Sequence, residues 1–323
     1  MTPHLLILLA ALVADWFIGD PDRLWARTGH PVVWFGRLID LIDNALNHGS
    51  DPAAVRYRKG ALAWSVMVGA ALTAAWLAGA VLAWLGPLGW LVEGFAVFAL
   101  LAQKSLRDHV AAVAGGLRGE GIEAGRRAVA RIVGRDPERL DRAGVARAAI
   151  ESLAENFSDS VVAPAFWYAV FGLPGIVAYK MINTADSMIG HRSERYLEFG
   201  RVAARADDLA NWLPARLSAL IVAAGAWTLG GLGAARAALA IALRDAGLHR
   251  SPNAGWPEAG FAGALALALG GPRAYREGTV AQAFLNGAGR RALDAADIDR
   301  ALGLFARSCF TLWAFAALTW LAA

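Results

Sequence analysis

The sequence predicts an all-α protein: a polytopic integral membrane protein with broken or re-entrant helices and amphipathic surface helices. Composition is the first reason. Of 323 residues, 57% are hydrophobic and only 18% charged, with a mean hydropathy of +0.42; a soluble domain carries about 45–50% apolar and 25% charged residues. Thirteen Trp and 35 Gly are the second, both being common in membrane proteins and Trp especially at the interface. The third is the alternation of long apolar runs with basic segments. Together they make the whole chain, 1–323, a single membrane-embedded domain with one polar face.

Residues 3–14 (PHLLILLAALVA) form a short apolar helix ending near Gly19. It lacks a basic leader and a small-residue cleavage site, so it reads as a first membrane helix kept in the mature protein. Asp20-Pro21 marks a turn, and Trp16, Trp25 and Trp34 among charges place the segment to residue 59 at the lipid headgroups. Asp15, Asp20 and His30 suit either a site or rigid turns at Asp20-Pro21 and His30-Pro31. Residues 60–86 are a spanning helix. Gly-Pro-Leu-Gly at 86–89 turns the chain, and 90–103 returns with Glu93 inside it. An acid at membrane depth is a functional candidate unless it reaches the headgroups.

Residues 104–147 carry ten Lys/Arg against six Asp/Glu and pattern as two or three amphipathic surface helices. Gly134-Arg135-Asp136-Pro137 breaks them and starts another, with Asp136 as its cap. The apolar stretches 160–182 and 212–232 are interrupted, the first by Pro164 and Gly172-Leu173-Pro174-Gly175, the second by Pro214 and Arg216. A polar block fills 233–300, and 301–322 closes the chain as a last apolar helix.

Basic residues set the topology. Segments 15–59, 104–158, 183–208 and 233–300 hold 6, 10, 4 and 8 Lys/Arg, so the positive-inside bias puts all four in the cytoplasm. Single crossings by 160–182 and 212–232 would leave 183–208 outside. Broken hairpins that dip in and return avoid this, provided their backbone is buried in protein or lines a cavity; ordinary spanning helices are the alternative. Hairpins would gather the polar clusters of 151–159, 180–190, 207–216 and 251–258 around one cytoplasm-facing cavity.

Those clusters hold the candidate chemistry. Glu151, Glu155 and Asp159 recur every four residues, on one helix face, with no Lys or Arg between Arg147 and Lys180. A solvated acidic face or a bound cation would each explain them. Lys180, Asn183, Ser187 and Gly190 share a broad helical face, with Thr184 beside them and Asp186 adjacent. Asp207, Asp208 and Asn211 repeat that chemistry. Hard oxygen ligands suit Mg2+ beside a phosphate, and Lys supplies a point charge, a set fitted to phosphoryl transfer. The plainer reading is that buried Asn, Asp and Lys satisfy one another and pin helices. One cysteine, Cys309, excludes a disulfide within the chain and a Cys-based zinc site. Six scattered His with no H-x-x-x-H pair argue against a His-built site. No nucleic-acid module, phosphate loop, strand-flanked G-x-G-x-x-G, G-x-S-x-G or H-E-x-x-H is present.

Five runs carry a resemblance across nearly the whole chain: GDP…HPVVWFGRLI, ESLAENFSDSVVAPAFW, KMINTADSMIGHRSERYLEFGRVAARADDLANWLPARL, SPNAGWPEAGFAGAL and GGPRAYREG. In them the sequence is similar to the CobD/CbiB family of cobalamin-biosynthesis membrane proteins, the adenosylcobinamide-phosphate synthases. The resemblance implies an ATP-dependent amide ligation in the inner (cell) membrane with the site facing the cytoplasm. A carboxylate of adenosylcobyric acid would be activated as an acyl phosphate and attacked by the amine of (R)-1-amino-2-propanol or its O-phosphate. It implies Mg2+ on Asp186 and on Asp207 or Asp208, and Lys180 or Arg216 countering charge. Glu151, Glu155 or Asp159 would serve as ammonium ligand and base. Asn156, Asn183 and Asn211 would orient substrates, as would Thr184, Ser187, Ser251, Asn253 and Glu258. From their positions at the cavity mouth, and not from the resemblance, Trp167, Trp212 and Trp256 are expected to cover the corrin. Homo-oligomers or association with other pathway enzymes would be compatible with it. The competing readings are a corrinoid-handling transporter and a non-catalytic signalling relative similar to AmpE-like membrane proteins.

Overall fold

The computed structural model describes residues 3–134, 136–275, 278–280 and 282–322. Arg135 of the expected helix break, and Arg276 and Glu277 of GGPRAYREG, lie outside them. In chain order the helices are α1 (Pro3–Phe17), α2 (Asp22–Thr28), α3 (Pro31–Leu46), α4 (Ala53–Trp84), α5 (Pro87–Phe98), α6 (Gln103–Gly119) and α7 (Ile122–Val129). They continue with α8 (Arg142–Phe157), a π turn Ser158–Val162, α9 (Ala163–Ile189), α10 (Arg201–Ala210), α11 (Trp212–Asp245), α12 (Gly255–Leu265) and α13 (Ala295–Ala322). Two short antiparallel pairs lie between α12 and α13: β1 (Leu269–Gly270) with β4 (Phe284–Leu285), and β2 (Arg273–Tyr275) with β3 (Gly278–Val280). Four helical stretches are long and apolar enough to cross a bilayer: Ala53–Trp84, Arg142–Ile189, Trp212–Leu248 and Ala295–Ala322. The chain is a helical membrane protein, as its composition predicts.

Contacts divide the chain into two compact units. One comprises Met1–Ala102, Ala163–Asn211 and Ala316–Ala323; the other comprises Gln103–Val162 and Trp212–Phe315.

The first unit is built on α4. Its 32 residues make about 48 Å of helix. Gly60, Ala63, Met67, Ala71 and Ala75 form a buried ridge at spacings of three and four, while Leu62, Trp76 and Val81 face outward. Small residues let a neighbouring backbone approach closely, and Met181, Ala185 and Ile189 of α9 fill that seam. The expected return helix is shorter than the sequence suggested. α5 ends at Phe98, and 12 residues span only about 18 Å. Downstream of α9, Asp43 of α3 accepts from Arg195 (2.6 Å), Tyr196 (3.2 Å) and Asn47 (2.8 Å), which fixes the loop before α10.

The 160–182 stretch folds back on itself. Gly172 has φ 63° and ψ −151°, a conformation that only glycine adopts without strain. A Cβ at Gly175 would overlap the Trp167 carbonyl, eight residues earlier and about 12 Å away on a continuous helix. Ala163 and Tyr179, sixteen residues apart, share one core cluster. The hairpin has arms 163–171 and 173–189.

In the second unit, α11 breaks at Gly230 and Gly231, the latter at φ 71°. Both arms pack on α12: Gly260 meets Val222 of the first, and Gly263 meets Ala237 and Ile241 of the second. The second hairpin therefore runs from Trp212 to Asp245, with its apex where the sequence suggested its end. Asp136 caps only a 3₁₀ turn, Pro137–Arg139 (Glu138 N–H to Oδ1, 3.1 Å), while Asp141 caps α8 through the Gly144 N–H at 2.7 Å. α6 and α7 are the expected amphipathic helices. Phe157 and Phe305 meet edge to face at 5.7 Å in the core, and Trp313 of α13 donates to Gln103 of α6 at 3.0 Å.

Candidate functional site

The first unit gathers the central cluster at the end of α9 and along α10. Both arms of the hairpin hold the C-terminus of α10. Trp167 Nε1 donates to the Ala210 carbonyl at 3.0 Å, and the Tyr179 hydroxyl donates to Asn211 Oδ1 at 2.9 Å. That anchorage presents Asp207 to α9, where Asn183 Nδ2 donates to its Oδ1 at 3.2 Å. Burial is the largest influence on Asp207, and the negative charge of Asp186 is the next; against the opposing pull of Asn183 and Asn211 they push its carboxyl up to about 7. Two carboxylates and two amides thus converge from α9, α10 and the α10 cap.

The other residues predicted here take different places. Asp208 is exposed; burial of its carboxyl raises it and the Arg192 charge draws it down, with a net rise. Lys180 is buried. Thr184 and Ser187 both turn their hydroxyls onto their own helix, donating to Lys180 O (2.6 Å) and Asn183 O (2.9 Å). Such back-bonding leaves only their oxygen lone pairs for a ligand. Trp167 lines an apolar cavity of about 510 Å³ with Trp64, Phe171, Tyr179 and Leu209.

The second unit holds the remaining candidates. Glu151 is 1% exposed, and its Oε1 accepts the Gly270 N–H at 2.7 Å. One turn earlier, Arg147 donates to Ala268 O and Arg291 O, so α8 grips the β1–β4 pair at two levels. Glu155 and Asp159 are half-buried. Asn156 donates to Ser152 O at 2.9 Å and accepts from Ser160 at 3.5 Å. Arg216 lies between two indoles, 4.1 Å from the Trp212 ring and 4.8 Å from that of Trp256, and its Nη1 donates to Trp212 O at 2.5 Å; the stack leaves the rest of the guanidinium edge for an anionic group.

The Ser251–Glu258 loop is organised by a residue that the sequence argument passed over. Ser251 N–H donates to His249 Nδ1 at 3.0 Å, so Nδ1 carries no proton and the other ring nitrogen does. That nitrogen, Nε2, faces the fully buried Glu258 at 3.5 Å. Ser251 Oγ accepts the N–H groups of Asn253 and Ala254 at 3.2 Å each, which closes the turn into α12 around the buried Asn253. The signal for His249 was its place two residues ahead of the SPN run. His30 repeats the device: it accepts from Val32 N–H at 3.2 Å and its Nε2 faces Asp20 at 3.4 Å. Trp25 also donates to Asp20 at 3.2 Å. Asp20 and His30 thus form a rigid turn.

Among the described residues, no group of three or more His, Cys, Asp or Glu side chains is placed to hold a metal ion. The Asp186–Asp207 pair still fits Mg2+ in its usual enzymatic setting, where one or two carboxylates and the phosphates of a substrate share the ion. Burial and mutual repulsion disfavour two bare carboxylates there, and a cation relieves both.

Fold and site together define a helical membrane protein in which a glycine-broken hairpin holds a carboxylate–amide cluster. The chain belongs to the CobD/Cbib protein family, whose model matches residues 8–305. It is 55% identical over 317 residues to the cobalamin biosynthesis protein CobD of Sinorhizobium fredii, covering 97% of this chain and 95% of that one. The protein of the same name from Brucella suis is 56% identical over 306 residues (94% and 93%). That from Rhodobacter capsulatus is 48% identical over 305 residues (94% and 93%). No solved structure matches.

Proposed function

We propose that the chain acts in cobalamin biosynthesis as a membrane-bound ligase that joins (R)-1-amino-2-propanol, or its O-phosphate, to a carboxylate of adenosylcobyric acid. The observation that carries this reading is the family match over residues 8–305, with relatives named for cobalamin biosynthesis at 48–56% identity among those compared. ATP converts the carboxylate to an acyl phosphate and leaves as ADP; attack by the amine releases phosphate and forms the amide. The reaction needs a place for nucleotide phosphates, a group that takes the ammonium proton, and recognition of anionic substrates.

Asp186 and Asp207 would hold Mg2+, with Asp208 at its edge, and the ion when bound neutralises phosphate oxygens. Asn183 fixes the Asp207 carboxylate, and Lys180, six residues before Asp186 on α9, would counter phosphate charge. Glu155, half-buried on the helix that Glu151 anchors, and Asp159, half-buried in the π turn that follows it, take the ammonium and accept its proton, since only the neutral amine attacks. Arg216 in its indole stack receives a carboxylate or phosphate. The Lys/Arg-rich segments would lie on the cytoplasmic side of the inner membrane, where ATP is.

The deciding experiment is purified protein in detergent with ATP, Mg2+, cobyric acid and each amine, products read by mass. ATP-dependent gain of the amine's mass is expected, together with its loss in Asp186→Asn. Absence of any amide product in the wild type would remove the ligase reading. A corrinoid transporter, which broken helices also suit, would bind corrinoid without hydrolysing ATP.

A further inference from the structure

The first unit contains a second polar site, far from the Asp186–Asp207 cluster. Glu93 of α5 is 8% exposed. Its Oε1 accepts the hydroxyl of the fully buried Tyr168 at 2.8 Å, and His4 Nδ1 lies 3.7 Å from the same oxygen, beyond hydrogen-bond reach. Oε2 takes no hydrogen bond from any described residue. Glu93 and His4 line a cavity of about 390 Å³ whose other walls include Trp76, Trp90 and Phe171, with Gly172 at the hairpin apex. Gly79, Ala80 and Ala83 of α4, with Leu82, complete that side of its wall. Gly79 is twenty residues beyond Lys59, so the cavity lies about 30 Å along α4 from that helix's basic start.

A buried carboxylate with one oxygen open, in an aromatic-walled cavity, is costly in an apolar medium unless a cation meets it. Aromatic faces attract the same ligand, an ammonium more than a hydrated metal ion. The open oxygen favours an ammonium with N–H groups to donate over a quaternary one. We propose that the Glu93–Tyr168–His4 cavity binds a primary ammonium group at the membrane face opposite the basic end of α4. Two sources share that chemistry: the headgroup of an ethanolamine lipid and a free small amino alcohol. The site is independent of the ligase reading, because none of its residues belongs to the proposed reaction machinery.

Full-length protein is placed in nanodiscs of phosphatidylcholine and phosphatidylglycerol, with or without phosphatidylethanolamine. In discs lacking it, ethanolamine is titrated calorimetrically, with ethylene glycol as the neutral control. Native mass spectrometry counts retained phosphatidylethanolamine in the others. Saturable ethanolamine binding that weakens at least tenfold in Glu93→Gln identifies a free amine as ligand. Retention of the lipid by wild type, and its loss in Glu93→Gln, identifies the headgroup. Trp76→Leu, at a position 65% exposed, should weaken either interaction several-fold while leaving the carboxylate in place. Equal binding by wild type and both variants, or no binding of either probe to the wild type, overturns the proposal.

Discussion

Replacing Asp207 with asparagine should stabilise the protein in a way that depends on pH. In the folded state burial and Asp186 push this carboxyl from an ordinary value near 3.8 up to about 7. Between those values the folded chain keeps a proton that the unfolded chain releases, so wild-type stability falls as pH rises through that window and levels off above it. A shift of about 3 units corresponds to at most about 4 kcal/mol at pH 8, and to about 1.5 kcal/mol at pH 5, just over one unit into the window. The amide of Asp207→Asn does not titrate, so the variant's advantage should widen by about 2.5 kcal/mol between pH 5 and pH 8. At roughly 2 °C per kcal/mol for a chain of this size, the gap in melting temperature should grow by about 5 °C in metal-free buffer. Intrinsic Trp fluorescence during thermal unfolding in detergent measures it directly. Millimolar Mg2+ should close the gap at pH 8 by stabilising the wild type and not the variant. Curves that stay parallel from pH 5 to pH 8 would refute the idea that Asp207 is held charged against its surroundings.

Three further outcomes test individual contacts. Gly172→Ala places a side chain at φ 63°, ψ −151°, and should lower stability by about 1–3 kcal/mol. Gly69→Ala, with open space around it, should be neutral or better in the same melting assay. Glu151→Ala leaves the buried Gly270 N–H without its acceptor and should cost about 1–3 kcal/mol; Glu151→Gln keeps a carbonyl there and should melt within a degree or two of wild type. Arg216→Lys retains the charge but loses the planar stack between Trp212 and Trp256. It should raise KM for the anionic substrate about tenfold with little change in kcat, read from amide formation at varied substrate.

The parts of the fold legible in the sequence are those set by local chemistry. α4 could be read because its apolar run exceeds bilayer thickness. The first hairpin could be read because Gly172-Leu173-Pro174-Gly175 interrupts an apolar stretch flanked by basic segments. The second was misplaced for a related reason. Gly230-Gly231-Leu232-Gly233 reads as a helix end, and the Ala-rich arm beyond it, with Arg236 and Arg244, has the composition of a polar surface segment. What buries that arm is α12, and a short apolar helix after a turn-rich loop gives no sign of its partner. The β pairs were missed because strands of two or three residues carry no period to detect.

For the site, residue type was readable and engagement was not. Glu151, Glu155 and Asp159 look equivalent at a spacing of four, yet Glu151 is buried and accepts the N–H of Gly270, 119 residues further on, while Glu155 and Asp159 are half-buried. A π turn begins at Ser158, so Asp159 leaves the helical register that made the three a triplet. Asp207 and Asp208 are likewise neighbours with different surroundings, one held against Asn183 and Asp186, the other exposed beside the Arg192 charge. In an apolar medium every acid needs a partner, and long-range contacts assign those partners. Local spacing can therefore nominate carboxylates for catalysis but cannot separate those that bind ligand from those that hold the scaffold. The acids offered for the proposed chemistry differ from Glu151 in their surroundings: Asp207 has a repelling neighbour in Asp186, and Glu155 and Asp159 are partly open to solvent.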